Sequence, residues 1–395
     1  MKHRIVVLGA GYAGAYSAGY LARRLHADDF EITVVNADPD FVERLRLHQL
    51  AAGRDLPRRP LADIFAGTGI RFRVARVTGL DPDRRTVAIT GGHGPETLGY
   101  DALLYTLGSA AAGHDVPGVA EHAFPVAARP SALRLRARLD GLPDGGRVLV
   151  VGGNLTAIET VTEIAEARPN LRVDLVTSGE LGGWLGERAR RHLARAVDRF
   201  GITVREHTAI TRVGAHGAIA ADGTALAADV TVWAAGFAAH PIAAAAGLAV
   251  AEDGRIRVDR QMRSVSHPDV YVAGDAVFVV GDNGRPLPMS CASAGFTGMQ
   301  ATAAIIGDRT GRTVRTTSLA YVGNHISLGR RDAIFQLVDG AAESTWSLRG
   351  RPAAWVKAAI LRGAAWNVGH PGVGTLRRAH RLDAAAPARP GAVAA

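Results

Sequence analysis

Arg4-Ile5-Val6-Val7-Leu8-Gly9-Ala10-Gly11-Tyr12-Ala13-Gly14 is the stretch that decides the fold. The apolar run Arg4 to Leu8 reads as a short buried strand, Tyr16 to Leu25 carries helical spacing, and Glu31 to Val35 returns as a second, β-branched strand. Between strand and helix, Gly9 permits a tight turn and Gly11 lets a pyrophosphate approach the backbone. Gly14 lets helix and strand pack closely, with Ala13 beside it. The helix N-terminus adds N–H groups and the positive end of a dipole. A lone Gly-x-Gly-x-x-Gly is a weak signal. With a strand before it, a helix after it and a second strand at the right distance, it predicts an α/β unit that binds a dinucleotide. The second strand ends on Asn36, where an acid usually meets the ribose. An amide can still hydrogen-bond a hydroxyl.

The plan repeats near Arg147, with strand Val148 to Val151, helix Ala157 to Glu166 and strand Arg172 to Val176. Its turn, Gly152-Gly153-Asn154-Leu155-Thr156-Ala157, keeps the first glycine as Gly152 and sets Asn154 and Ala157 in the other two places. Alanine is accepted third. Asparagine tolerates left-handed backbone, but adds a side chain near the phosphates. The following strand ends in Thr177-Ser178 with no carboxylate, and Arg188, Arg190 and Arg191 follow within a helical stretch. These residues lead us to expect NADPH to be accepted at least as well as NADH. Residues 70–107 read as β-meander, 202–232 as β-rich and 238–251 as an alanine-rich connection. From about 316 come strands, an arginine-flanked helix at 353–366 and a Pro/Ala/Arg tail from about 381 expected to be disordered.

The remaining composition mainly excludes. At 395 residues and 47% apolar, the chain suits two or three folded domains. Its single cysteine, Cys291, excludes an internal disulfide framework, a four-cysteine zinc site and a Cys-x-x-Cys pair; no metal is expected. No run of 18 apolar residues occurs, and Met1-Lys2-His3-Arg4 leads straight into a strand, so neither a transmembrane helix nor a secretory signal is expected. The net charge is +9, yet only Lys2 and Lys357 are lysines and the arginines are dispersed among acids. Nothing in that pattern suits nucleic acid.

After the two glycine turns comes Tyr271-Val272-Ala273-Gly274-Asp275-Ala276, ahead of an apolar helix at Gly295 to Ile306. On these elements the chain, from about residue 4 to 370, resembles the two-dinucleotide-binding-domain flavoproteins. Within them it is most similar to the type II NADH:quinone oxidoreductase and apoptosis-inducing-factor-like branch. Thr106-Leu107-Gly108 and Ala234-Ala235-Gly236 look like that family's two crossover motifs. Asp275, after Gly274, matches the aspartate that meets the flavin's ribityl chain. Val77 matches the position whose backbone meets adenine, and Ala292 falls at the helix aimed at the flavin pyrimidine. Ser327 to Ala333 and Gly350 to Trp355 resemble the C-terminal domain of the quinone-reductase branch. Where disulfide reductases of the family carry redox cysteines, this chain has Phe41 to Leu50 without one, which excludes a thiol relay.

The resemblance makes Arg46, His48 and Gln49 candidates for contact with flavin or acceptor, the alternative being a solvated helix face. Glu159 matches a glutamate near the nicotinamide side, the alternative being a first-turn acid that satisfies the helix dipole. Cys291 reads as a lone buried thiol. The implied architecture is α/β, with two Rossmann-like domains and a small C-terminal α+β domain. FAD is expected on 1–110 and 240–315, NAD(P)H on 111–239, and a C-terminal domain at 316–380. The implied activity takes hydride from NAD(P)H through FAD to a quinone-type acceptor. Two alternatives stay open: a soluble flavoprotein reductase serving a biosynthetic intermediate or a small electron-transfer protein, and an FAD-bound interaction protein with a decayed second unit. A cytoplasmic protein at the inner face of the membrane is expected, touching it through 352–366 by Trp355 and Trp366 with Arg349, Arg351, Lys357 and Arg362. If instead those tryptophans meet a second subunit, the chain is a homodimer.

Overall fold

Apolar β-branched runs make the centre of the molecule. In the computed structural model, which describes residues 1–113, 115–339, 344–372 and 379–383, strand His3–Leu8 lies between Phe30–Asn36 and Ala102–Tyr105, parallel to both. Val270–Val272 adds a further parallel strand beyond Ala102–Tyr105. Strand Arg71–Asp81 serves two neighbours. Its first residues pair in parallel with Phe30–Asn36, and its later ones pair antiparallel with Thr86–Gly91, which pairs in turn with Gly94–Gly99. The result is a seven-stranded sheet whose parallel part is buried on both faces, as its near-continuous apolar strands require. Helix α1 (Tyr12–Arg24) starts directly after Gly11, and helix α2 (Leu47–Ala51) lies in the segment following the second strand.

The second sheet has five parallel strands. Arg147–Val151 is flanked by Arg172–Val176 and Val230–Trp233, with Thr203–Arg205 and Ala123–Pro125 at the edges. Its crossover helices are α3 (Leu155–Ala167) and α4 (Glu187–Arg199). The chain enters and leaves this region along two segments, Ser109–Ala111 and Phe237–Ala239, which pair antiparallel. Helix α5 (Cys291–Thr310), capped by the Ser290 hydroxyl accepting from Ser293 N, packs on α1. A three-stranded antiparallel sheet, Gly323–Ser327, Ala333–Val338 and Ser344–Arg349, then carries helix α6 (Arg351–Gly369). The expected tail falls, from residue 384 on, outside the described residues.

Two expectations change. Asn154 is not left-handed: its backbone is extended (φ −82°, ψ 177°) and it is the N-cap of α3. Lys357 does not face solvent or lipid. The buried face of α6 is Ala353, Lys357, Leu361, Ala365 and Val368, a spacing of four, four, four and three residues that places all five on one side.

Candidate functional site

The two nucleotide turns, the start of α5 and the C-terminal elements enclose one cavity of about 460 Å³. Its floor begins at the first glycine turn. A Cβ on Gly9 (φ +91°) would overlap the Thr106 carbonyl, and one on Gly14 would overlap the Gly9 carbonyl and the Thr106 hydroxyl. A Cβ on Gly11 would meet nothing within 4 Å, because Gly11 faces the cavity. Two glycines are therefore needed by the fold, and the third leaves room for a ligand at the positive end of α1. Thr106 Oγ1 donates to Leu8 O (2.7 Å) and Gly9 O (2.9 Å), holding the turn from below. Asn36 also serves the turn. Its Oδ1 accepts from Ala10 N at 2.9 Å and its Nδ2 donates to Asp38 O at 2.7 Å, so both ends of the amide are engaged within the protein.

Asp275 stands at the far end of this floor. It accepts from Ser109 Oγ at 2.6 Å, and Arg44 Nη1 lies 3.9 Å away. Arg44 donates to Ser109 O (2.6 Å) and Ser109 Oγ (2.9 Å), with its guanidinium 4.9 Å from the centre of the Phe237 ring. The arginine thus joins the segment after the second strand to both interdomain segments. Cys291 and Ala292, at the start of α5, complete this wall. Burial, with Asp275 nearby, pushes the Cys291 thiol up to about 11, so it stays protonated and unreactive at neutral pH.

The second turn forms the opposite wall. Asn154 Oδ1 accepts from Ala157 N at 3.0 Å and Nδ2 donates to Ala234 O at 2.8 Å, so one side chain caps α3 and ties it to the crossover. Asn154, Leu155 and Thr156 line the cavity. Gly152 (φ +137°) lies against the Ala234 carbonyl. Thr177 is buried, so its side chain is not presented to a ribose from the surface. Arg190 and Arg191 are paired with Glu180 (2.6 Å) and Glu187 (2.7 Å).

The deepest wall holds the titratable groups. Glu159 Oε1 accepts from Ser327 N at 2.9 Å and forms an ion pair with Lys357, while its Oε2 lies 3.8 Å from His48 Nδ1. All three side chains are at most 6% exposed. Lys357 Nζ also donates to His325 O at 3.3 Å. Burial, reinforced by Lys357 and Arg46, lowers His48 to about 3, so its imidazole is neutral and can donate or accept but does not carry charge. Burial lowers Lys357 to about 7, against which the Glu159 carboxylate favours the ammonium form. His48 and Glu159 line the cavity. Arg46 and Gln49 do not: Arg46 donates to Gln49 Oε1 and Glu43 Oε2, each at 3.0 Å. Gly9, Gly14, Val77 and Gly236 do not line the cavity, while Ala13, Gly108 and Gly274 do. Sequence reasoning missed Arg44, Ser109, Trp184, Tyr321, His325 and, as a cavity residue, Lys357.

Residues 3–303 match the family described as pyridine nucleotide-disulphide oxidoreductase. The chain belongs to that family. With it come FAD and NAD(P)H, and the protein is an NAD(P)H-dependent flavoprotein oxidoreductase. The open face of Gly11 and the cavity running from it to Asp275 fit the flavin nucleotide. Among relatives, an NADH dehydrogenase-like protein of Mycobacterium tuberculosis is 29% identical over 84% of this chain and 87% of its own length. A type II NADH:quinone oxidoreductase of Staphylococcus haemolyticus is 25% identical over 94% and 97%. The solved NDH2 of Plasmodium falciparum, in complex with NADH, shares the fold at a TM-score of 0.78, with 14% identity over 95% and 98% of the chains. A pyridine nucleotide-disulphide oxidoreductase with one cysteine uses the family's nucleotide chemistry without its disulfide.

Proposed function

We propose that this oxidoreductase passes reducing equivalents from NAD(P)H to a quinone. The supporting observation is that the C-terminal sheet and helix close the cavity, bringing Tyr321, His325 and Lys357 to the wall that also holds Glu159 and His48. FAD, which the first glycine turn and Asp275 would hold, would supply the hydride-accepting chemistry between nicotinamide and acceptor. Conversion of a quinone to a hydroquinone takes two electrons and two protons, and hydride from NAD(P)H leaves one proton to be drawn from the surroundings. The Lys357–Glu159 pair holds a proton at Lys357 Nζ, where water is largely excluded. Neutral His48 faces Glu159 through Nδ1, and its Nε2 has no protein partner. Arg44 and Asp275 orient the polar rim, and the N-terminus of α5 contributes a positive potential.

The exposed face of α6, carrying Trp355 and Trp366, would rest on anionic lipid at the inner face of the membrane and bring the cavity to a lipid-soluble quinone. Among the described residues no helix is long and apolar enough to cross a membrane. Anaerobic reduction by NADH and by NADPH, each followed by re-oxidation with a short-chain quinone, oxygen or a ferredoxin, tests the reading. Fast re-oxidation by the quinone is expected. Re-oxidation by ferredoxin alone would replace the quinone with a protein acceptor, and failure of both nicotinamides to bleach the flavin would overturn the reading in favour of an interaction protein.

A further inference from the structure

The loop after the second strand of the NAD(P)H region runs Leu181-Gly182-Gly183-Trp184-Leu185-Gly186. Leu181 and Leu185 are buried, whereas Trp184 between them is 39% exposed and lines the cavity with Asn154, Leu155 and Thr156. We propose that Trp184 is a binding residue for NAD(P)H, its indole stacking on a planar ring of the incoming dinucleotide.

Three observations carry this. The loop backbone is fastened at both ends: Leu181 N donates to Glu206 Oε1 at 2.7 Å, and Gly186 N donates to Gln336 Oε1 at 2.9 Å. Gln336 is fully buried in the C-terminal sheet, and its Nε2 donates to Trp184 O at 3.4 Å, so one amide clamps the backbone on both sides of Leu185. A held backbone lowers the entropy lost when the indole stacks. The second observation is the exposure itself: a large aromatic surface left open toward a cavity gains most from a flat, apolar-faced partner. The third is position. The loop leaves the C-terminal end of a parallel strand in the second nucleotide unit, the edge over which a dinucleotide lies in such sheets. Its cavity neighbours Asn154 to Thr156 open α3, whose N-terminus suits the pyrophosphate of that same ligand.

This inference concerns the nicotinamide half of the reaction and does not depend on the quinone. Trp184 is 39% exposed, and retention of FAD with an unchanged unfolding midpoint in the variants checks that its substitution spares the fold. Anaerobic stopped-flow reduction of the FAD-loaded enzyme is the experiment. Trp184→Ala is expected to raise the NADH or NADPH concentration giving half-maximal flavin reduction about tenfold, the scale of one ring-on-aromatic stack. Trp184→Phe restores most of it, and the effect on half-saturation by the nicotinamide exceeds any effect on re-oxidation by a short-chain quinone in both. The same order is expected in the Kd of a tetrahydronicotinamide dinucleotide, which binds without giving hydride. An unchanged half-saturation in Trp184→Ala overturns the proposal. A change confined to re-oxidation by the quinone also overturns it and assigns the indole to the acceptor.

Discussion

Lys357 is one of two lysines in a chain otherwise supplied with arginine, and it is buried against Glu159. An arginine there would remain charged at any working pH, whereas a buried lysine can release its proton. Burial lowers it to about 7 and the Glu159 carboxylate holds the ammonium to higher pH than burial alone would, so the ammonium is present at low pH and lost as pH rises. If it supplies the acceptor's proton, re-oxidation by quinone falls as pH rises above about 7. Lys357→Met is then expected to be about 100-fold slower in re-oxidation, with a flattened pH profile and near-normal flavin reduction. An unaltered profile in that variant would remove Lys357 from proton supply. A second prediction separates ligand room from fold. Gly11→Val adds a side chain in open space at an ordinary φ of −75° and is expected to abolish FAD content while leaving the apoprotein's unfolding midpoint nearly unchanged. Gly14→Ala should fail to fold, because its Cβ has no space. The glycines were legible in sequence because a nucleotide turn imposes fixed spacings, whereas Asp275 and Glu159 were singled out by the family resemblance and the structure sets both on the cavity wall. Arg44, Ser109 and Trp184 were not, since their roles depend on segments 65 to 166 residues away meeting in space. Lys357 was half legible. At 100° per residue it stands about 200° from Trp355, on the opposite face, but which face is covered is a tertiary fact.

Among the elements, the two nucleotide units show how one plan tolerates different side chains. The first turn binds its backbone through Asn36 and Thr106; the second does so through Asn154, which takes up the place of a glycine and repays it by capping α3. Sequence reading saw that asparagine as a possible sign of decay because a cap cannot be told from an intrusion until the backbone angle is known. Asn154→Ala is expected to cost about 1 kcal/mol in chemical denaturation, the usual loss for an N-cap, and Asn154→Gly less. Asn154→Asp keeps the cap acceptor but sets a negative charge where phosphates approach. It loses the Nδ2 bond to Ala234 O and so some stability, while the half-saturating NAD(P)H concentration rises about tenfold, more than in Asn154→Ala. Equal nucleotide affinity in all three variants would show that α3 does not receive the dinucleotide. The helices and central strands were readable from periodicity, while their ends were not. The expected helices at Tyr16–Leu25, Ala157–Glu166 and Gly295–Ile306 each begin earlier, at Tyr12, Leu155 and Cys291, because the residues that follow each turn already belong to the helix.

For the whole molecule, the question is how an enclosed cavity meets its acceptor. Helix α6 answers it with two unlike faces. One side, Ala353, Lys357, Leu361 and Ala365, is buried, and Lys357 from this side reaches the cavity. The other carries Trp355 at 81% exposure and Trp366 at 50%, about 20° apart around the helix, with Arg351 and Arg362 also exposed. Of the four cations expected to face lipid, Lys357 is inside, Arg349 donates to Arg188 O at 3.3 Å, and Arg362, though exposed, donates to Ala358 O of its own helix at 3.1 Å. The electrostatic part of any lipid contact therefore rests on Arg351 and Arg362, roughly 1 kcal/mol each near an anionic surface and screened within a Debye length of about 8 Å at physiological salt. In such a contact the indoles would supply the rest by entering the headgroup layer. Co-sedimentation of the FAD-loaded protein with phosphatidylglycerol-containing vesicles is expected at low salt, weaker at physiological salt. It should be lost in a Trp355→Ala, Trp366→Ala double variant that keeps its FAD and its rate with a water-soluble quinone. With a long-chain quinone in vesicles the same variant should slow, because only delivery has changed. If the wild type fails to bind vesicles at low salt, while the double variant alters sedimentation velocity, then the tryptophans join two copies of the chain and the acceptor reaches the cavity from water.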